Sequence, residues 1–589
     1  MYLKTTAVRD DADDGLFDRI GLTLSGGGYR AAAFHLGSMS YLHHVRHPAD
    51  GRPLLERVKF LSPISRGTIT GAVYAAALVK HGNAAFPFAY RTLLDFLQRD
   101  RLLADSLEAL NNPSAWPKPA NGKARNLINA FSLQYRSLTD HVSFRQLSDR
   151  LVSEDEATSV HLREVAFGST DLRKGLPFRF QNIGYLGNYK VRVGTDLHAE
   201  IQLGDIIAAS SAFPGGFEPI RFPEDFLSGP QTDSTSDPTL ASDCTQNSVE
   251  LMDGGIVSNQ GFDALDKLLD RQDNAEQRED SNDRLTLLIA SDVSGYYHTK
   301  PAIAVRDPIE ENSWSLRTWI TAIVACAVGV LILAVSQIAN WVLALSFSGK
   351  DLSYGSRAAI ALVLAAAVTG VIWWWVKGRI KWRVEGFPAD VRHLWEAAKR
   401  ADLGKLSLSR LTALLGIRFR SVARVAGGIF LERNRRRDTA DIFRRLKKDR
   451  IVSNYIYTLV PDTGPLNKLP FERKDFSQNF LSRLKRNGLS VEDLNGRKLP
   501  VLARYAERFG TVLWFSAEDQ RNDCLRTLVA TGQFTLCYNL MLKIDEVLAE
   551  ESGPHTEQLL ELADHFQRHF QRFQANPYWL YDELIDTVR

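Results

Sequence analysis

Residues 20–45 read IGLTLSGGGYRAAAFHLGSMSYLHHV, a short apolar run that enters three glycines and leaves as a helical stretch from Ala31 to Val45. The same grammar returns further on, where Val58 to Ile64 is a second apolar run followed by a helix through Val79. That helix stacks Ile69, Val73 and Ala77 at i, i+4 and i+8. Arg163 to Ser169 and Leu285 to Ala290 are further short runs suited to buried strands. Short apolar strands alternating with helices predict an α/β sandwich around a largely parallel sheet. In such sheets ligands sit at the carboxyl ends of the strands, and the unusual residues of this chain fall there.

Three local features stand at those ends. Gly26-Gly27-Gly28-Tyr29-Arg30 follows a strand and precedes a helix. Its glycines let several N–H groups point at one spot, which suits an anion or a developing oxyanion; a plain turn is the alternative. Pro63-Ile64-Ser65-Arg66-Gly67 also joins strand to helix, the setting of a nucleophile elbow. Such an elbow needs small residues two before and two after the serine. Gly67 meets that need and Pro63 does so only in part. Met252-Asp253-Gly254-Gly255, with Asn259 after it, is either an ordinary turn or a carboxylate on a rigid loop. None of the 13 histidines stands in a triad-like context, with only His298 near a strand end. A Ser–Asp pair would therefore use the carboxylate directly as base, with burial raising its pKa from an ordinary value near ~3.9.

Together these stretches resemble the patatin-like phospholipase family in its bacterial form. GLTLSGGGYRAAAFHLG (21–37) is similar to the family's glycine-rich oxyanion block, and KFLSPISRGTITGAVYAAAL (59–78) to its strand–elbow–helix. STDLRKGLPFRF (169–180), DIIAASSAFPGGFEPI (205–220) and LMDGGIVSNQG (251–261) resemble later blocks, the last with the family's aspartate. The resemblance spans about residues 18–300. It implies a three-layer α/β/α lipid acyl hydrolase with a Ser–Asp dyad and no metal or other cofactor. Carried over, Ser65 is the nucleophile and Asp253 the base. The N–H groups of Gly26, Gly27 and Gly28 form the oxyanion hole, and Arg30 steadies that loop. Two departures are Pro63 where the motif has glycine and Arg66 where glycine is common after the serine. A lipid-binding domain without turnover, an acyltransferase and a neutral-glyceride lipase are the rival readings. RIVSNYIYTL (450–459) and ATGQFTLCYNLMLKI (530–544) resemble, loosely, the C-terminal helices of larger bacterial members.

Composition sets the wider frame. A chain of 589 residues suggests several units at roughly 150 residues per domain. Apolar residues at 44% and charged residues at 24% exclude a largely disordered protein. Four cysteines (Cys244, Cys326, Cys524, Cys537), none closely paired, exclude a disulfide scaffold and a CxxC zinc site. A mean hydropathy of -0.19 hides two uncharged runs, 318–349 and 358–376. A bilayer core needs about 20 apolar residues in a helix, so the runs predict a two-helix transmembrane hairpin with spans at about 318–347 and 358–376, edged by Trp319, Trp341 and Trp373 to Trp375; a pair of buried core helices is the alternative. Lys377, Arg379, Lys381 and Arg383 follow directly, which places both termini in the cytoplasm, at a bacterial inner membrane. The polar N-terminus has no signal-peptide pattern.

The resulting division is a catalytic domain at 1–305, a hairpin at 318–376 and a basic, mainly helical region at 377–589. Residues 377–450 hold 21 Lys or Arg against 8 Asp or Glu, a net +13 in a chain whose total is +3. Such a segment beside a membrane suits anionic headgroups; a salt-bridged helical face is the alternative. No recognition motif accompanies the charge, which disfavours nucleic acid. The implied partners are thus phospholipid substrate and bilayer, and the sequence is silent on oligomeric state.

Overall fold

The computed structural model describes residues 15–99, 101–116, 123–155, 158–194, 198–199, 201–226, 248–276, 284–294, 430–446, 450–460, 498–550 and 555–588, with isolated positions between 315 and 363. The sheet is built from β1 (Ile20–Leu24), β2 (Val58–Pro63), β3 (Glu164–Asp171), β4 (Leu176–Gln181), β5 (Leu186–Asn188), β6 (Val191–Val193), β7 (Ile220–Phe222), β8 (Val249–Asp253), β9 (Leu287–Asp292) and β10 (Ile451–Tyr455). Its parallel part runs β10-β9-β1-β2-β3. At β3 the pairing changes hand. The start of β3 lies parallel to β2, and its end, Ser169 to Asp171, pairs antiparallel with β8. That switch sets Asp253 opposite Ser169.

Neighbouring residues on the strands face opposite layers, as a pleated strand buried on both faces requires. Leu61 and Leu287 join one apolar cluster with helix α1 (Gly28–His44) and helix α2 (Gly67–His81). Phe60 and Leu288 join a second cluster, with Leu265 and Leu269 of helix Phe262–Glu276 and Ile442 of helix Leu431–Arg445. The α/β fold with a mostly parallel central sheet is therefore as the alternation predicts.

The C-terminal segment differs from its sequence reading. RIVSNYIYTL is not helical; its Ile451–Tyr455 forms edge strand β10, parallel to β9. The β-branched Ile451 and Val452 are buried there on a pleated surface. ATGQFTLCYNLMLKI lies within helix Cys524–Glu550, which packs along α1. The contact is close enough to need glycine on both sides. A Cβ at Gly37 would overlap the Val529 carbonyl, and one at Gly532 would overlap the Phe34 carbonyl. Buried amides add to the grip on α1: Gln533 Nε2 donates across the seam to Ser40 Oγ at 2.9 Å, and from β10 Asn454 Nδ2 donates to Ser38 Oγ at 3.0 Å. Residues 1–298 and 430–589 accordingly form one compact unit, and 299–429 form another.

Among the described residues no helix is long and apolar enough to cross a membrane. The runs at 318–349 and 358–376 lie mostly outside the described residues, as does the basic stretch 377–429. At the described end of the basic segment several arginines are ion-paired. Arg445 meets Asp266, Asp270 and Asp273, and Arg437 and Arg444 meet Asp441.

Gly37→Leu forces the α1 seam apart. The expected loss is about 1–3 kcal/mol of stability, read from the denaturant midpoint of the full chain. An unchanged midpoint would show that the seam is loose.

Candidate active site

β2 ends at Pro63 and α2 begins at Gly67, so Ile64, Ser65 and Arg66 turn the chain. Ser65 has φ 51°, a left-handed conformation that costs a non-glycine residue of order 1 kcal/mol or more. Its N–H donates to Ser210 Oγ at 2.9 Å. The Ser210 hydroxyl donates to Gly168 O at 2.6 Å and accepts from Thr68 Oγ1 at 2.8 Å. Gly67 is required by space, because a Cβ there would lie 2.7 Å from the carbonyl oxygens of both Leu24 and Ser25. Pro63 is accommodated from the other side: at Gly71 of α2 a Cβ would lie 2.7 Å from Pro63 Cγ. The close strand–helix approach of an elbow is thus shared between Gly67 and Gly71.

β8 delivers Asp253 to the same place. Ser65 Oγ donates to Asp253 Oδ2 at 2.6 Å, across 188 residues of chain. Asp253 Oδ1 accepts the Gly255 N–H at 2.7 Å. A Cβ at Gly254 would overlap the Gly168 carbonyl, so only glycine lets this loop reach β3. Burial pushes the Asp253 carboxyl up to about 6, against the Ser65 and Gly255 hydrogen bonds and the Arg66 charge, which all pull it down. A group with that value is mostly ionised at neutral pH yet can hold a proton briefly, as a general base must.

The glycine loop faces this pair, with one change of role. The Gly26 N–H already donates to Asn259 O at 3.0 Å, so it is engaged in tying the two loops together. The place of Gly26 is steric, since a Cβ there would lie 2.9 Å from Ser65 Cβ. Gly27 (φ 154°) and Gly28 (φ 69°) carry N–H groups with no acceptor among the described residues. Arg30 does not brace the loop from within. Its Nη1 donates to Glu507 O at 2.8 Å and Phe509 O at 2.9 Å, clamping the C-terminal segment onto α1. The Tyr29 N–H adds a bond to Val512 O at 2.9 Å.

Among the described residues no histidine hydrogen-bonds Ser65 or Asp253, and His298 lies outside them. His35 sits beneath the loop, its Nε2 donating to Ser25 O at 2.9 Å, and burial lowers its pKa to about 4. It supports backbone.

Residues 22–266 match the family model for patatin-like phospholipase. No curated protein matches the chain. The patatin-like domain runs from β1 to the helix after Asp253 and contains Ser65, Ser210 and the glycine loop. It points to a lipid acyl hydrolase. Sequence reasoning named Ser65 and Asp253, which the fold brings together. It missed Ser210, whose block was legible but whose contact with the Ser65 N–H depends on helix Leu203–Ser211 crossing the elbow. It also missed the cover that residues 507–512 lay over α1, because no local pattern links them to the glycines.

A carbon-detected NMR titration of the Asp253 carboxyl is expected to show a midpoint at about 6. In Ser65→Ala the midpoint rises further, because the hydroxyl that favours the carboxylate is gone. A midpoint near 4 in the intact protein would mean that the site is wet.

Proposed function

We propose that this chain is a membrane-anchored serine lipid acyl hydrolase that cleaves acyl esters of phospholipids or related lipids through a Ser–Asp dyad. The observation that carries the reading is the 2.6 Å hydrogen bond from Ser65 Oγ to the buried Asp253 carboxyl. Asp253 takes the hydroxyl proton as Ser65 Oγ attacks the ester carbonyl. The Gly27 and Gly28 N–H groups, with that of Arg66 at the start of α2, receive the negative charge on the carbonyl oxygen. Asp253 then gives its proton to the leaving alcohol, and the acyl group stays on Ser65. Water, deprotonated by Asp253, attacks the acyl-enzyme, and Asp253 returns that proton to Ser65 Oγ as the bond to the fatty acid breaks.

Anchoring is supported by the uncharged runs 318–349 and 358–376 and the basic cluster after them. Leu333, Ile360 and Val363 are helical residues with exposed apolar side chains, 65%, 41% and 69% accessible. Exposed leucine, isoleucine and valine on helices suit lipid better than water. In this reading the catalytic unit and both termini face the cytoplasm, and residues 377–429 meet anionic headgroups.

Ser65→Ala and Asp253→Asn each lower ester hydrolysis by at least about 10³-fold, and Ser65→Ala abolishes fluorophosphonate labelling. In the intact enzyme kcat/KM rises with pH through about 6, since Asp253 acts only when ionised. Activity that survives Ser65→Ala would end this reading. Deleting 318–376 is expected to shift the protein from the membrane fraction to the soluble one; retention in the membrane would remove the anchor from the proposal.

A further inference from the structure

Helix Leu203–Ser211, which carries Ser210 to the elbow, is buried along all nine of its residues. Leu203, Ile206, Ile207, Ala208 and Ala209 spread around its whole circumference. A helix that is apolar all round has no polar side to fix how it is turned about its axis. Yet Ser210 has to face one point, where its hydroxyl accepts the Ser65 N–H at 2.9 Å and donates to Gly168 O at 2.6 Å.

Asp205 is the only charged residue of this helix, and it is fully buried. Arg136 grips both of its carboxylate oxygens, Nε at 3.0 and 3.2 Å and Nη2 at 2.6 Å. Lys123 Nζ donates to Asp205 Oδ1 at 2.8 Å and to Ser132 Oγ at 2.8 Å. Neither the Lys123 nor the Asp205 side chain is exposed to solvent. Burial pushes the Asp205 carboxyl up, but the two cations outweigh it and hold the group below its ordinary value, so it stays charged. Such a cluster is a poor source of stability, because taking charges out of water costs about what their attraction returns. What it supplies is direction, since a guanidinium fork holds a carboxylate in one plane.

Arg136 belongs to helix Leu127–Leu138, and a Cβ at Gly204 would overlap the Arg136 backbone N. Glycine sets how closely the two helices approach, and the fork sets how the second is turned. Asp205 and Ser210 are five residues apart, about 140° around the axis, so a rotation fixed on one side aims the other. The helix that holds Arg136 also presents the Tyr135 hydroxyl to Arg66 Nη1. Two consecutive elbow residues, Ser65 and Arg66, are thus held by one locked helix pair. We propose that Asp205, gripped by Lys123 and Arg136, is a positioning residue for Ser65: the buried ion cluster turns helix Leu203–Ser211 so that Ser210 meets the Ser65 N–H. This role rests on the hydrolase reading and deepens it, because the cluster acts on the nucleophile without a hydrogen bond to Ser65 or Asp253.

The test uses the full-length protein, with p-nitrophenyl butyrate hydrolysis and the rate of fluorophosphonate labelling as readouts. Lys123→Met, Arg136→Met and Asp205→Leu made together remove every charge of the cluster and keep apolar volume. The thermal midpoint of this triple variant is expected to stay within a few degrees of the parent's. Its kcat and labelling rate fall about 10- to 100-fold, the scale of a misplacement of order 1 Å, with KM little changed. Ser210→Ala alone loses a similar factor. Added to the triple variant it costs little more, because both act through one contact. Arg136→Lys keeps the charge but not the fork, and lowers kcat at least about threefold.

A triple variant that melts like the parent and keeps its kcat overturns the proposal, as do losses that multiply when Ser210→Ala is added. If the triple variant does not melt cooperatively, Arg136→Lys decides, and a parental kcat there overturns the assignment as well. In all these outcomes hydrolysis lost in Ser65→Ala leaves the hydrolase reading standing. No hydrolysis by the parent, or hydrolysis that persists in Ser65→Ala, removes that reading instead.

Discussion

Ser65 keeps its left-handed backbone only because several separate elements grip the turn around it. Ser210, on a different helix, takes its N–H; Gly67 and Gly71 let α2 press against the ends of β1 and β2; Asp253 takes its hydroxyl. None of these contacts is local in sequence except the glycines. The strain of the turn, of order 1–3 kcal/mol, is therefore offset by packing from the whole sandwich. It follows that the serine is exposed to its partner only in the folded body. The β3 switch matters for the same reason, since an antiparallel β8 ends where a parallel sheet has its carboxyl edge.

The body that supplies this grip is larger than the patatin-like match. The match ends at residue 266, yet β9 lies beside β1 and β10 beside β9, and both are outside it. Helix Cys524–Glu550 covers the face of α1 that the matched stretch leaves open. Its glycine-to-backbone contact with α1 permits no side chain between them, so the two helices fit as one surface. Residues 507–512 then cap the first turn of α1 through Arg30 and Tyr29. The loop that holds the glycine N–H groups is thereby fixed from its far side by chain that follows residue 429.

Periodicity and glycine placement made β1, β2, β3, β9, α1 and α2 legible, because each pattern is written within a dozen residues. Ser65 and Asp253 were legible for a different reason: both follow apolar runs and precede glycines. The strand at 451–455 was not, since a short run containing Ser453 and Asn454 becomes a strand only by pairing with β9. The engagement of the Gly26 N–H by Asn259 was equally invisible, although both residues stand in recognisable motifs. A glycine shows that a backbone can turn, and says nothing about which acceptor its N–H will find.

Two buried ionisable groups flank Ser65, Arg66 next to it in sequence and Asp253 across a hydrogen bond, and the way they avoid pairing has a chemical consequence. Burial raises Asp253, while the positive charge of Arg66 lowers it, and burial wins. Had the Arg66 fork closed on Asp253, the pair would have held the carboxyl well below its ordinary value and left a weak base. Arg66 instead turns away, to Tyr29 and Tyr135, and spends one nitrogen on a hydroxyl. Asp253 is left with a serine and a backbone amide as its partners. The same rotation that keeps the base strong leaves the guanidinium without a counter-charge. The direction of the Arg66 side chain thus helps to decide whether the dyad works near neutral pH.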